Sequence, residues 1–201
     1  MQLATPFVVS VGIFDLPQFL PNIRSAFETA RLAGELESGG KAGFATTLKD
    51  YKNDKQNILR AVPQASEFVD AILNSTVQFA ESVGYHAPQN SLEIDNFWLI
   101  EMTSGSEHEV HSHYARQFSS CYYVDVPQNS GPLVFHSFRE RFDYMPPNIA
   151  EYTSHNSDTF GFVPKEGQFF IWESWVKHSV PATQFDGVRR CAAMDIVIHR
   201  G

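Results

Sequence analysis

The sequence predicts a mainly β chain, a sandwich or jelly roll with N-terminal helices packed against it. Three observations carry that prediction. From about residue 91 onward, short apolar runs recur at intervals and are punctuated by turn residues. The composition favours pleated, half-buried surfaces, with 17 Phe and 7 Tyr among 201 residues. Before that point, two apolar stripes have helical rather than alternating spacing.

Taken in order, Val8, Val9, Val11, Ile13 and Phe14 read as a short strand ending at Asp15–Pro17. Pro21 suits the first position of a helix that carries Ile23, Phe27, Ala30 and Ala33 on one stripe, and Gly34 suits its stop. Residues 38–56 are glycine-rich and then charged, which reads as a surface loop. A second helix fits residues 63–83, with Pro63 in its first turn. Val69, Ile72, Leu73, Thr76, Phe79, Ala80 and Val83 follow its spacing, and Gly84 closes it. Trp98, Ile100 and Met102 then alternate with Leu99, Glu101 and Thr103. Further strands are expected at 118–126, 132–136, 159–163, 167–172 and 189–198, separated by PQNSGP, MPPN, PKEG and QFDG. The expected organisation is a single domain, 1–201, with a helical support region over 1–90 and a jelly-roll catalytic core over 91–201.

Composition narrows the partners. The formal net charge is −8, from 15 Lys+Arg against 23 Asp+Glu, with no basic run. That argues against a nucleic-acid backbone or an anionic membrane as partner. No apolar run reaches membrane-span length, and the first residues lack a basic leader. Two cysteines, Cys121 and Cys191, do not make a disulfide framework, so a reducing, cytoplasmic setting is expected. The stripe on the second helix leaves the oligomeric state open between a chain that packs on itself and a homodimer.

Chemistry concentrates in EHEVHSHY, residues 107–114. His111 and His113 are two apart, and in a strand such residues share a face and therefore a metal. The best third ligand is His178, at the end of an apolar run. Three neutral imidazoles suit Fe(II), Zn(II), Cu(II) or Ni(II). His108 and His136 are candidates for the pocket's surroundings, while His86, His155 and His199 read as ordinary side chains. Arg189 and Arg190 open the last strand, and alternation puts Arg189 with Cys191, Ala193 and Asp195 on one face. Arg190 shares the other face with Ala192, Met194 and Ile196. An arginine fork beside a metal with open positions describes a site for a small, metal-chelating dicarboxylate.

The order of HSH (111–113), SSCYYVDVP (119–127), GPLVF (131–135), PKEGQFFIWESWVKHSVP (164–181) and RRCAAMD (189–195) resembles the iron(II)- and 2-oxoglutarate-dependent oxygenases. It is most similar to a prolyl-hydroxylase-like sub-family with His-x-His and a later His. The resemblance spans residues 92–198. It implies a double-stranded β-helix and a dioxygenase that hydroxylates a substrate while 2-oxoglutarate is decarboxylated to succinate. Fe(II) would be the metal, with His111, His113 and His178 as ligands. His113 stands where the wider family has a carboxylate, and Asp125, Glu109 and Glu173 are the nearby alternatives. Arg189 matches the family's 2-oxoglutarate arginine better than Arg190. Cys191 occupies the family's serine position, Ser120 replaces a glycine, and Tyr123 is either a wall of the cosubstrate pocket or a core tyrosine. The implied partners are dioxygen and a small-molecule or peptide substrate of unknown identity. Residues 137–158 are the expected lid, and Arg139, Arg141, Tyr144 and Tyr152 lie in it.

Two other readings compete. Gly105 followed by His111-x-His113 also opens a cupin-type metal motif, although the glutamate expected soon after is missing. A jelly-roll binding module with a vestigial metal site is the other.

Overall fold

The structure, a computed structural model, describes residues 8–38, 43–47, 62–138 and 148–199. The N-terminal part contributes β1 (Val11–Asp15), α1 (Leu20–Leu32), β2 (Leu36–Ser38), β3 (Phe44–Thr47) and α2 (Ala65–Ser82). The remainder supplies β4 (Leu92–Met102), β5 (His108–His111), β6 (Phe118–Asp125) and β7 (Leu133–His136). It ends with β8 (Thr159–Phe162), β9 (Gln168–Glu173), β10 (His178–Val180) and β11 (Arg189–Ile198).

These strands form two antiparallel sheets, the layers of a jelly roll. The larger runs β1-β9-β6-β11-β4-β3-β2, and the smaller runs β5-β10-β7-β8. Burial explains why β6 and β11 lie at the centre of the larger sheet. Phe118, Tyr122 and Val124 of β6, with Ala192, Met194 and Ile196 of β11, pack into a core shared with the helices. The alternate residues Cys121, Tyr123 and Cys191 belong to a second core between the two sheets. A strand with both faces covered needs a nearly unbroken apolar run, and FSSCYYVD is close to one, with two serines near its start and Asp125 at its end.

The helices cover the outer face of the larger sheet. On α1, Ile23, Ala26, Phe27 and Ala30 are buried, and on α2, Phe68, Ile72, Phe79 and Ala80 are. Phe68 sits edge-on to Phe19, Phe97 and Tyr122, with ring centroids 5.5, 6.3 and 5.4 Å away. Such pairs add about 0.5–1.5 kcal/mol each beyond their buried area.

Three local expectations are corrected. Pro63 precedes α2 rather than lying in its first turn, because Gln64 at the N-cap is left-handed, φ 53°. Ala33 is exposed, just past the last turn of α1. Part of the segment read as a loop, 38–56, is a strand: β3 pairs with β2 and with β4, extending the large sheet. Residues 48–56 of that segment lie outside the described residues.

Gly167, from the Pro-x-x-Gly run, shows what that run does. Its φ is +81°, and a Cβ there would meet Pro17 Cα at 2.7 Å. Its N–H donates to Tyr123 O at 2.8 Å and its carbonyl accepts from Leu16 N at 2.7 Å. A residue without a side chain thus ties the approach to β9 to β6 and to the end of β1. Among the described residues, no helix is long and apolar enough to cross a membrane.

Candidate metal centre

His111 is the last residue of β5 and His178 the first of β10, and the two are directly opposed in the antiparallel ladder. Their ring centroids are 4.2 Å apart. His113 reaches the same place by another route than the one its spacing suggests. The strand ends at His111, so His113 is not a strand residue. Its backbone N–H leaves the ladder and donates to Ser174 O at 3.0 Å, and the chain then turns at Ala115, φ 57°. The His113 ring lies 5.2 Å from that of His111 and 5.3 Å from that of His178. One ligand atom from each of the three lies within 4.8 Å of the others.

Hydrogen bonding decides which nitrogen each ring offers. Nδ1 contacts Glu109 O at 2.7 Å in His111, Val176 O at 3.0 Å in His178, and Asp195 Oδ1 at 2.5 Å in His113. Carbonyl and carboxylate oxygens only accept, so each Nδ1 carries the proton and each lone pair sits on Nε2. Burial, with His111 alongside, pushes His178 down to about 3, which keeps it a neutral donor at physiological pH. The set fits a divalent metal that takes imidazole nitrogen.

Arg189 lines the same cavity, of about 510 Å³, as the three histidines. It is 2% exposed. Its Nη1 donates to Ser130 O at 3.0 Å and its Nη2 to Tyr123 OH at 3.4 Å, and the guanidinium carbon lies 5.3 Å from the Tyr123 ring centre. Nε is buried with no hydrogen-bond partner. Among the described residues no carboxylate pairs with this guanidinium. A buried cation so poorly neutralised is costly unless an anion arrives, and an orphaned N–H in its fork fits a carboxylate.

Arg190 behaves differently. It points to the helix side, where Nε meets Glu101 at 2.8 Å, Nη1 meets Asp125 at 3.3 Å and Nη2 meets Glu28 at 3.6 Å. Tyr123 and Cys191 also line the cavity. Burial pushes the Tyr123 hydroxyl up, so it remains a phenol.

Of the carboxylates weighed as alternative ligands, Asp125 and Glu173 are held elsewhere, and the three histidines converge without any of the three. Asp125 accepts from Arg24 and Arg190, Glu173 accepts from Tyr85 OH at 2.5 Å, and Glu109 contributes its backbone carbonyl to His111. His108 stacks on His111 at 4.2 Å, and His136 Nε2 meets Ser179 Oγ at 2.8 Å. His199 pairs with Glu93. The described residues of the expected lid do not line this cavity: Ser137, Phe138, Ser154, His155, Ser157 and Asp158 line a separate cavity of about 350 Å³. Tyr152 is exposed, and Arg139, Arg141 and Tyr144 lie outside the described residues.

Asp195 is the residue that motif reading undervalued. It lies opposite Asn96 on β4 and Ser119 on β6, and accepts from Asn96 Nδ2 at 2.9 Å, from Ser119 Oγ at 3.1 Å and from His113. Alternation along β11 already put it on the Arg189 face. That was the available signal.

Comparison with known proteins agrees with this geometry. Residues 96–195 match a family described as "Putative 2OG-Fe(II) oxygenase". A Pseudomonas putida prolyl-4-hydroxylase is similar over 95% of this chain and 93% of its own, at 13% identity and a TM-score of 0.60. A Trichoplax adhaerens prolyl hydroxylase, solved with a hypoxia inducible factor peptide fragment, is similar over 94% of this chain and 83% of its own, at 12% identity and a TM-score of 0.59. HygX from Streptomyces hygroscopicus, solved with nickel, 2-oxoglutarate and hygromycin B, is similar over 94% of this chain and 83% of its own, at 10% identity and a TM-score of 0.56. No curated protein matches by sequence. At such identities the structural likeness speaks for the jelly-roll fold, and a peptide fragment in one and hygromycin B in another differ too widely to name a substrate.

Proposed function

Because the chain belongs to the 2-oxoglutarate- and iron(II)-dependent oxygenases, enzymes that work with Fe(II) and 2-oxoglutarate, we propose that it hydroxylates an organic substrate at the cavity between its two sheets. His111, His113 and His178 hold the metal through Nε2. Arg189 grips the far carboxylate of 2-oxoglutarate, with Tyr123 beside it and Cys191 next to it on the same face.

Bound together, Fe(II) and 2-oxoglutarate supply dioxygen activation, with decarboxylation to succinate and carbon dioxide. The chain's own residues position and protect. The three Nδ1–H bonds fix the ring planes before the metal arrives, which lowers the ordering cost of binding. The planar fork of Arg189 matches a carboxylate with two parallel hydrogen bonds. Trp172, Leu133 and Val180 line the cavity with apolar surface and limit water near the reacting atoms. The volume is in the range of small-molecule sites, about 300–1,000 Å³. A small metabolite, or a side chain of a peptide, is the class of substrate that enters it.

The buried, carboxylate-free Arg189 on the wall of the histidine cavity carries this reading. It also weighs against the cupin alternative and against a vestigial site, neither of which uses such a cation. The test is anaerobic addition of 2-oxoglutarate to Fe(II)-loaded protein. A visible charge-transfer band, and succinate release on admitting dioxygen, are expected. Metal-loaded protein that shows neither sinks the proposal.

A further inference from the structure

Asp195 has no part in the reading above, yet it is a carboxylate only 3% exposed. Among the described residues no lysine or arginine pairs with it. Its partners are His113 Nδ1, Asn96 Nδ2 and Ser119 Oγ. A buried carboxylate is costly without a nearby positive charge, and the natural source of one is a metal on the opposite nitrogen of the His113 ring.

The three imidazoles are not equivalent in this respect. His111 and His178 give their Nδ1 hydrogen bonds to neutral backbone carbonyls, of Glu109 and Val176. His113 alone gives its own to a carboxylate. His113 is also the residue that stands where 2-His-1-carboxylate sites place an acidic ligand.

We infer that His113 and Asp195 act as one composite ligand, in which Asp195 delivers through the ring the negative charge that an acidic ligand would supply directly. Asp195 is a positioning residue here and touches neither metal nor substrate. The inference rests on the proposal that His111, His113 and His178 hold Fe(II).

A closed circuit of hydrogen bonds holds the pair in place. Ser119 donates to Asp195 Oδ1 at 3.1 Å, so its own oxygen accepts from Ser174 Oγ at 2.8 Å. Ser174 O accepts the His113 backbone N–H at 3.0 Å. His113 Nδ1 closes the circuit on Asp195 Oδ1 at 2.5 Å. His113 is thus held at its backbone N–H and at Nδ1 together, which fixes the direction of Nε2.

The experiment is an anaerobic titration of metal-free protein with Co(II) and with Fe(II), followed by visible spectroscopy and by competition against a chelator. Wild type, Asp195→Asn, Ser119→Ala and the double variant His113→Asp/Asp195→Asn are compared. Asp195→Asn keeps the shape and an acceptor oxygen but removes the charge. Its metal affinity is expected to fall about 10–100-fold, with a shifted Co(II) spectrum. Its metal-free melting temperature should stay within about 4 °C of wild type. Ser119→Ala, which keeps the charge, should lose far less affinity. The double variant, with a carboxylate placed directly at the metal, should recover most of the loss.

Wild-type affinity in Asp195→Asn overturns the inference and leaves the triad standing. A metal-free Asp195→Asn that melts far below wild type also overturns it, because Asp195 then serves the fold. A wild-type protein that takes up neither metal removes the inference and the triad reading together.

Discussion

Arg189 and Arg190 are neighbours on β11, and the sheet sends them to opposite sides. Arg190 faces the helices and meets the carboxylates of Glu101, Asp125 and Glu28. Arg189 faces the cavity and meets a backbone carbonyl and a phenol. The contrast extends along the two faces of the large sheet. On the helix side, aromatic packing fills the space and charges are neutralised within the chain. On the cavity side, a guanidinium and a carboxylate are buried beside three imidazoles that converge on one point. The helix side is therefore built for stability, and the cavity side is complete only with its ligands.

Substitutions on each face can break that division. The largest effect is expected for Phe68→Ala, which empties the aromatic cluster under α2. The cost is about 3–5 kcal/mol of stability, while 2-oxoglutarate affinity in the folded protein stays unchanged. Chemical denaturation and anaerobic ligand titration measure the two. A large loss of affinity would show that the faces are coupled.

Arg189→Ala is expected to do the reverse. Losing one partner of a buried charged pair costs about 2–5 kcal/mol of binding, some 30-fold or more in 2-oxoglutarate affinity. Ligand-free stability should hold or rise, because an uncompensated buried charge is gone. Arg190→Ala should instead lower the melting temperature modestly and leave 2-oxoglutarate binding alone. If the two arginines exchange these phenotypes, the assignment of Arg189 is wrong.

Ligands test the same division without mutation. A metal and cosubstrate that bind only the folded state stabilise it by about 2.7 kcal/mol at a hundredfold excess over Kd. Fe(II) with 2-oxoglutarate under nitrogen should therefore raise the melting temperature of wild type by several degrees. The same addition to Arg189→Ala should show only the metal's share. An equal rise in both would place the cosubstrate away from Arg189.

How much of this was legible before the structure follows the same physics. The strands β4, β6, β9 and β11 were readable because alternating or continuous apolar runs and turn residues are local signals. The hairpin of β2 and β3 was not, since LES and FATT are short and carry little apolar pattern. It is held by pairing with a strand far along the chain, 54 residues on at Thr46 and Ile100. His111, His113 and His178 were legible by type and spacing, but the way His113 reaches the site was not. A spacing of two fits a strand and a strand end equally well. Asp195 was placed on the correct face by alternation, yet a strand does not announce what it will meet from a distant segment. Its contact with His113 crosses 82 residues of sequence.

The smallest effect tests the division at its finest grain, at Cys191. This residue lies opposite Tyr123 on β6 and Ile100 on β4, two positions after Arg189. The hydrogen bond from Cys121 holds its thiol below the usual range, and burial pushes Cys121 up. A thiol is a weak donor to a carboxylate, and a serine hydroxyl is a better one. A single hydrogen bond is worth about 0.5–1.5 kcal/mol net, so Cys191→Ser should tighten 2-oxoglutarate roughly two- to tenfold with little change in stability. The mirrored change one residue on, Ala192→Ser, puts a hydroxyl among the apolar side chains under the helices. It should cost stability and leave affinity untouched. Opposite outcomes from the same hydroxyl on adjacent residues would show that the two faces of β11 answer to different demands. An unchanged or weaker affinity in Cys191→Ser would mean that Cys191 packs with Cys121, and that Arg189 and Tyr123 hold the carboxylate without it.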